Sequence, residues 1–345
     1  MAKKRARPKR RTKKRSTRNT DMVMQLVKIC GALAVLVLLV VTAGVLARHM
    51  IRRPAMEKPP VAHQPAPPAV KQDKPAYEVF PRKEPPPAKP VVKLPQLPGD
   101  HPPVVAIVVD DIGYDRQIAE QLLALDAPLT FSVLPFGPHS REIAAKARSR
   151  GHEIMLHLPM EPNEFPAVNP GPGALLKQMS ADEFIGQLKA DLDRIPGLRG
   201  VNNHMGSAIS TSSERMRQIF TVLKKRDLYY IDSRTTAETV ARPSAELLQI
   251  PFTERDIFID HFENEQFIRK QLGELIKRAK HQGYAVGIAH PHTVTLRVLA
   301  EFLPELKRAV ELVPASMVVD TVMLARGVEP RAMSQNFEYR TGKIQ

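Results

Sequence analysis

Residues 104–109, Val-Val-Ala-Ile-Val-Val, run directly into Asp110-Asp111, and residues 151–157, Gly-His-Glu-Ile-Met-Leu-His, carry a second apolar segment to a histidine. A β-branched run that delivers adjacent carboxylates to its C-terminal end, matched by another that delivers an imidazole, is how α/β enzymes assemble a hydrolytic metal site. Outward from these two stretches, short apolar runs alternate with longer amphipathic ones, the pattern of βα units around a mostly parallel sheet. The fold class is therefore α/β. The pattern predicts strands over 104–109, 129–134, 153–157, about 200–203, 228–231, 247–250 and 285–289, with helices over 115–125, 139–150, 180–195, 212–226, 264–282 and 293–303. Ser180 and Glu183 have the spacing of a capping box, and Gly151 and Gly283 follow their helices at the C-cap. No internal repeat is visible, and the polar stretch 321–345 reads as a loosely held tail.

Toward the N-terminus the composition changes. A chain of 345 residues could hold two average domains, but sixteen of its 32 prolines lie between 48 and 103, so one core is expected, over 104–320. The proline-rich segment 48–103 has scarcely any aromatic residue and reads as an extended spacer. Of the formal charge of +15, eleven positive residues lie within 3–18 with no acidic one, which leaves +4 for the rest. The body of the chain is nearly balanced, and nucleic acid is not an expected partner. Residues 29–47 follow with nineteen uncharged positions, close to the ~20 that a helix needs to cross a bilayer. Residues 23–47 accordingly read as a single transmembrane signal anchor and 1–22 as a basic cytoplasmic tail. That makes a single-pass membrane protein with its folded domain outside the cytoplasm, periplasmic where the membrane is a bacterial inner one. A cleaved signal peptide competes, with Val45-Leu46-Ala47 as the cleavage site, but the apolar run exceeds the ~7 to 15 residues of a signal peptide's apolar region. Cys30, the sole cysteine, lies in that run, so a metal in the folded domain must rest on His, Asp or Glu.

Five predicted segments end in titratable residues: Asp110 with Asp111, His157, His204 in Gly-Val-Asn-Asn-His-Met-Gly-Ser, Asp232 in Tyr-Ile-Asp-Ser-Arg, and His290 with His292 in Gly-Ile-Ala-His-Pro-His. Turns and helix caps produce one or two such coincidences, whereas five on strand ends point to a site. Bland readings stand beside the functional ones. Adjacent aspartates also occur as solvated turns, Asp110 could be a structural acceptor, and His204 a core histidine. His292 either lines the pocket or caps the helix near 293. Ser207 and Ser233 are candidates to hydrogen-bond a substrate, although polar turn residues need no function. Arg234 either meets an anionic substrate group or pairs with a nearby acid.

Taken in order, Ile-Val-Val-Asp-Asp-Ile-Gly, Leu-Thr-Phe-Ser-Val-Leu-Pro, Gly-His-Glu-Ile-Met-Leu-His-Leu-Pro-Met-Glu, Asn-Asn-His-Met-Gly-Ser, Asp-Ser-Arg-Thr and Ile-Ala-His-Pro-His resemble the divergent polysaccharide deacetylase family, a branch related to the carbohydrate-esterase polysaccharide deacetylases. The resemblance covers about 104–320. It implies a distorted (β/α) barrel of the polysaccharide deacetylase type, a divalent metal, and hydrolysis of an N-acyl group on an envelope sugar. By the same resemblance Asp110 corresponds to the general base, Asp111 to a metal ligand, His157 to the first ligand histidine, and His290 to the histidine that protonates the leaving amine. Three departures accompany it. Glu161 stands where the wider family has its second histidine, so either Glu161 ligates or the ligand has moved, with His204 the preferred replacement. No arginine occurs in 201–207, so Asn202 or Asn203 takes over part of the task of orienting the base. The chain has no tryptophan, so its substrate groove is built differently.

Chemistry is consistent with these roles. A catalytic zinc keeps three protein ligands and an open position, and Asp111, His157 and His204 would provide that set. A neighbouring carboxylate, Asp110, suits a base, and a histidine titrating near neutrality, His290, suits an acid, with Asp232 as the candidate to hold its ring. Glu161, Asn203, Ser207, Asp232, Ser233 and His292 are expected around the substrate or behind the ligands. The expected function is metal-dependent deacetylation of an envelope glycan. The alternative is a non-catalytic envelope protein that binds glycan or a cell-wall or division partner.

Overall fold

The computed structural model describes residues 102–328 together with six isolated helical positions, Met24, Lys28, Leu36, Leu39, Val40 and Thr42. The expected tail 1–22, the span 29–47 apart from those positions, the linker up to 101 and the tail beyond 328 lie outside the described residues. Among the described residues no helix is long and apolar enough to cross a membrane. The chain divides into two units, Met1–Lys71 and Gln72–Gln345, and every described strand belongs to the second.

Among the described residues nine strands form one sheet: β1 Val104–Ile112, β2 Thr130–Val133, β3 Glu153–Met160, β4 Gly200–Met205, β5 Tyr229–Asp232, β6 Phe252–Glu254, β7 Ile257–Phe258, β8 Tyr284–Ala289 and β9 Glu311–Leu312. Their order is β6-β5-β4-β3-β2-β1-β8-β7 with β9 also on β1, and every pairing is parallel. The helices are α1 Arg116–Leu122, α2 Ser140–Ser149, α3 Ala181–Arg194, α4 Ser213–Lys225, α5 Ala241–Leu248, α6 Glu265–Gln282, α7 Thr293–Ala309 and α8 Ala315–Ala325. The two edges of the ladder, β6 and β7, are separated along the chain only by Arg255 and Asp256. Arg255 N donates to Asp232 O at the end of β5, and Asp256 N donates to Val286 O in β8, both at 2.9 Å. Consecutive residues thus exchange one edge for the other, which curls the sheet into a half-barrel whose ring is completed by chain rather than by a ladder.

Two expectations change. The apolar stretch 247–250 is not a strand: α5 runs to Leu248, Gln249 ends it in the left-handed region, and the strand that pairs with β5 begins at Phe252. The hydrophobic residues there belong to a helix end, where Leu247 stays exposed. Position 320 is not the end of the ordered chain, because α8 continues to Ala325. Capping chemistry is as expected at α3, where Ser180 and Glu183 form a reciprocal box, and at α6, where Gly283 takes φ +88°.

Alternation along the strands sorts two faces. Val105, Ile107 and Val109 of β1 join the cluster under the surrounding helices, while Ala106 and Val108 face inward with Met155, Tyr229, Ile231, Phe258, Val286 and Ile288. Val318, Val319 and Val322 of α8 pack into that inner cluster. At the same end Glu153 is buried, and its Oε1 accepts from Tyr229 Oη at 2.7 Å and from Ser316 N in the first turn of α8 at 3.0 Å. A carboxylate at a helix N-terminus is favoured by the exposed N–H groups and the dipole there. Helix α8 thereby plugs the N-terminal end of the half-barrel, and the polar residues collect at the other.

Candidate active site

The inward alternation continues past the apolar positions into polar ones: 106-108-110 on β1, 130-132 on β2, 155-157 on β3, 202-204 on β4, 258-260 from β7 into the loop after it and 286-288-290 from β8 into the loop after it. Asp110, Ser132, His157, Asn202, His204, Asp260 and His290 are all buried. Asp111 breaks the alternation and would face the helices, but its φ of +55° and a register shift between Val109 and Ile112 turn the backbone there. Aspartate tolerates that region better than most residues. Both acids therefore reach the mouth.

Three donor atoms meet. Asp111 Oδ1 lies 3.1 Å from His157 Nε2 and 2.9 Å from His204 Nδ1, and the two nitrogens are 3.2 Å apart. Neither oxygen of Asp111 accepts a well-aligned hydrogen bond, despite those short distances. Two imidazole nitrogens and a carboxylate oxygen gathered this closely are arranged to share a cation. Their separations approach the ~3.3 Å edge of a tetrahedron with bonds of ~2.0 to 2.1 Å. The residues present thus fit a divalent metal, and among the described residues this trio and Asp260 with His290 and His292 are the groupings with metal-ligand spacing. Burial would raise the Asp111 carboxyl, yet His204 and His157 hold it well below its ordinary value.

Asn202 stands behind the trio. Its Nδ2 donates to Asp110 Oδ1 and Oδ2 at 2.8 and 3.0 Å and approaches Ser233 Oγ at 3.2 Å, while its Oδ1 accepts from Ser132 Oγ at 2.5 Å and meets His157 Nδ1 at 2.9 Å. Burial raises the Asp110 pKa, against the opposing effects of His157, His290 and the Asn202 bond.

His290 lies at the end of β8, on the other side of β1 from β3 and β4. Its ring is held not by Asp232 but by Asp260: Nδ1 and Oδ1 are 2.9 Å apart, and Asp260 Oδ2 accepts from His290 N at 2.6 Å and Thr295 Oγ1 at 2.9 Å. Burial works against the charged imidazole, but Asp260, then Asp111 and Asp110, push its pKa up to about 10. Phe258 stacks on the ring at 5.4 Å between centroids.

The remaining expected residues fall behind or beside this centre. Asn203 points away from it, with Oδ1 accepting from Tyr230 Oη and Ser233 N and Nδ2 donating to Met205 O. Asp232 accepts from Arg234 N and Thr239 Oγ1, and burial raises its pKa. Glu161 Oε2 accepts from Lys177 N at 2.7 Å, so it braces the loop after β3 and is outside the donor trio. Ser207 Oγ accepts from Asn163 N, and Arg234 pairs with Glu254 at 2.9 Å, the bland alternative for each. His292 precedes α7 and lies 3.4 Å from Glu263. Sequence reasoning missed Asp260 and Ser132; counting in twos from the inward apolar residues finds both, and separates Asn202 from Asn203.

The family model for divergent polysaccharide deacetylases matches residues 107–319. The chain is 34% identical to uncharacterized protein YibQ of Escherichia coli (strain K12) over 227 residues, 66% of this chain and 70% of that one. It is 31% identical to an uncharacterized protein of Haemophilus influenzae over 209 residues, 61% of this chain and 74% of that one. Among solved structures, that of uncharacterized protein ATU2773 from Agrobacterium tumefaciens C58 shares the fold with a TM-score of 0.61 at 26% identity, over 67% of this chain and 92% of that one. A match that spans nearly the whole half-barrel, together with relatives of this similarity, shows that the chain belongs to the divergent polysaccharide deacetylase family.

Proposed function

We propose that this protein is a metal-dependent hydrolase that removes the acyl group from an N-acylated polysaccharide of the cell envelope, tethered to the inner membrane by its N-terminal segment with the folded domain in the periplasm. One arrangement carries the reading: three buried donor atoms within 3.2 Å of one another, with Asp110 beside them and the Asp260–His290 pair across β1. Asp111, His157 and His204 would hold the cation, and two imidazoles with one carboxylate suit zinc. When bound, the metal supplies a Lewis acid that polarises the acyl carbonyl and lowers the pKa of water.

The chain's own residues do the rest. Asp110, aimed by Asn202 and made more basic by burial, takes the proton of the attacking water. His290, with Nδ1 engaged by Asp260, carries a proton at Nε2 and delivers it to the departing nitrogen. An amine leaves only when protonated, so the acid and base must occupy different sides of the scissile bond. A second reading, a non-catalytic protein that binds envelope glycan or a cell-wall or division partner, is favoured by a neutral Asn202 at the base where the wider family uses arginine.

Metal content of the purified full-length protein, followed by acetate and free-amine release from envelope polysaccharide, separates the two. Equal release of acetate and amine that stops on chelation supports the hydrolase. Bound metal with glycan affinity but no release supports the binder, and absence of affinity for divalent ions defeats the proposal.

A further inference from the structure

Asn202 is fully buried on β4, and its side-chain amide is saturated: Nδ2 faces both oxygens of Asp110 and Ser233 Oγ, and Oδ1 faces Ser132 Oγ and His157 Nδ1. Chemistry dictates which way the amide points. An ionised carboxylate only accepts, so the NH₂ end must face Asp110, and the carbonyl end must then face Ser132 and His157. A carbonyl oxygen cannot donate, so the proton in the 2.9 Å contact with His157 sits on Nδ1. In its neutral form, the one that can bind a metal, the ring then keeps its lone pair on Nε2, the atom 3.1 Å from Asp111 Oδ1 and 3.2 Å from His204 Nδ1.

From this geometry we infer that Asn202 is a positioning residue that serves two partners through one amide: it fixes the tautomer of His157 for metal capture and aims the carboxylate of Asp110. The aiming of Asp110 rests on the hydrolase reading, whereas the role toward His157 stands apart from it. An arginine could satisfy the carboxylate, but as an obligate donor it could not accept from the imidazole. The amide does both, and without adding charge. Flipping it would oppose oxygen to carboxylate and leave buried groups unpaired, so the arrangement is locked as one unit.

Full-length protein labelled with ¹⁵N-histidine tests this, alone and with zinc, beside Asn202→Leu and Asn202→Asp. Long-range ¹⁵N–¹H spectra of the metal-free wild type should show His157 protonated at Nδ1. Asn202→Leu removes both functions: the Nδ1–H form should give way to a mixture, and zinc affinity, measured by chelator competition, should fall by about 10- to 100-fold. Asn202→Asp keeps an acceptor toward His157 but sets a carboxylate against that of Asp110. It should retain the Nδ1–H form and bind zinc roughly tenfold or more tightly than Asn202→Leu, yet lose turnover. A purely structural asparagine would show no such split. Wild-type His157 protonated at Nε2, or equal zinc affinities in the two variants, overturns the tautomer role, and wild-type turnover in Asn202→Asp overturns the aiming role. Should Asn202→Leu fail to fold, the wild-type spectrum and Asn202→Asp still decide. If the wild type has no turnover, the hydrolase reading and the aiming role fall together, while the His157 measurements remain decisive for the other half.

Discussion

Asp110 and Asp111 are neighbours in sequence with opposite electrostatic surroundings. Burial raises the first, whereas two imidazoles hold the second down, so one site contains a carboxylate suited to accept a proton and one suited to bind a cation. Replacing Asp110 with Asn should lower turnover by about 10²- to 10⁴-fold while zinc affinity, measured by competition, stays within a few-fold of wild type. An equal loss of both would assign Asp110 to the ligand set instead. On the hydrolase reading, His290 sets the other limb of the pH profile. Because Asp260 raises its pKa to about 10, the pair's contribution to stability is complete below the unfolded value of ~6.5 and fades as pH climbs through about 10. On the hydrolase reading turnover needs the proton on His290, so it should fall as pH climbs through about 10. Asp260→Asn removes the largest charge that favours the imidazolium, so the alkaline limb should move to lower pH. Initial rates from about pH 6 to 11 check this, and an unmoved limb would assign it to another group.

Elements show why some of this was legible in the sequence and some was not. β1, β3 and β4 could be read because apolar runs ended in residues whose chemistry stands out. β7 could not, since a two-residue strand offers no periodicity to mark Asp260, whereas Asp232 closes a longer strand and stands out as the partner for His290 that Asp260 proves to be. The stretch 247–250 misled because apolar residues at a helix end and in a short strand look alike over four positions. β4 itself is held tightly against β5: a Cβ at Gly200 would lie 2.3 Å from the Tyr229 ring, whose hydroxyl donates to Glu153. Gly200→Ala should destabilise the domain by about 1–3 kcal/mol by overpacking, read as a lower urea midpoint at unchanged slope. A neutral result would mean that Tyr229 can move without disturbing Glu153.

Across the molecule, polarity is divided between the two ends of the half-barrel. One end is sealed by α8, whose valines complete the inner apolar cluster and whose N-terminus is met by Glu153. Deleting 314–345 should therefore abolish the cooperative unfolding transition rather than trim a tail, as followed by circular dichroism during heating. Retention of a sharp transition would show that the cluster closes without the helix. The other end holds the candidate site. The candidate ligands stand on β1, β3 and β4, and His290 and Asp260 stand just beyond β8 and β7 of the same ladder. Because β1 and β8 stay paired up to Val109 and Ala289, the gap between the Asp111 carboxylate and the His290 ring is set by backbone hydrogen bonds, so whatever spans the two meets an opening of fixed width, whichever way the Arg255–Asp256 seam moves.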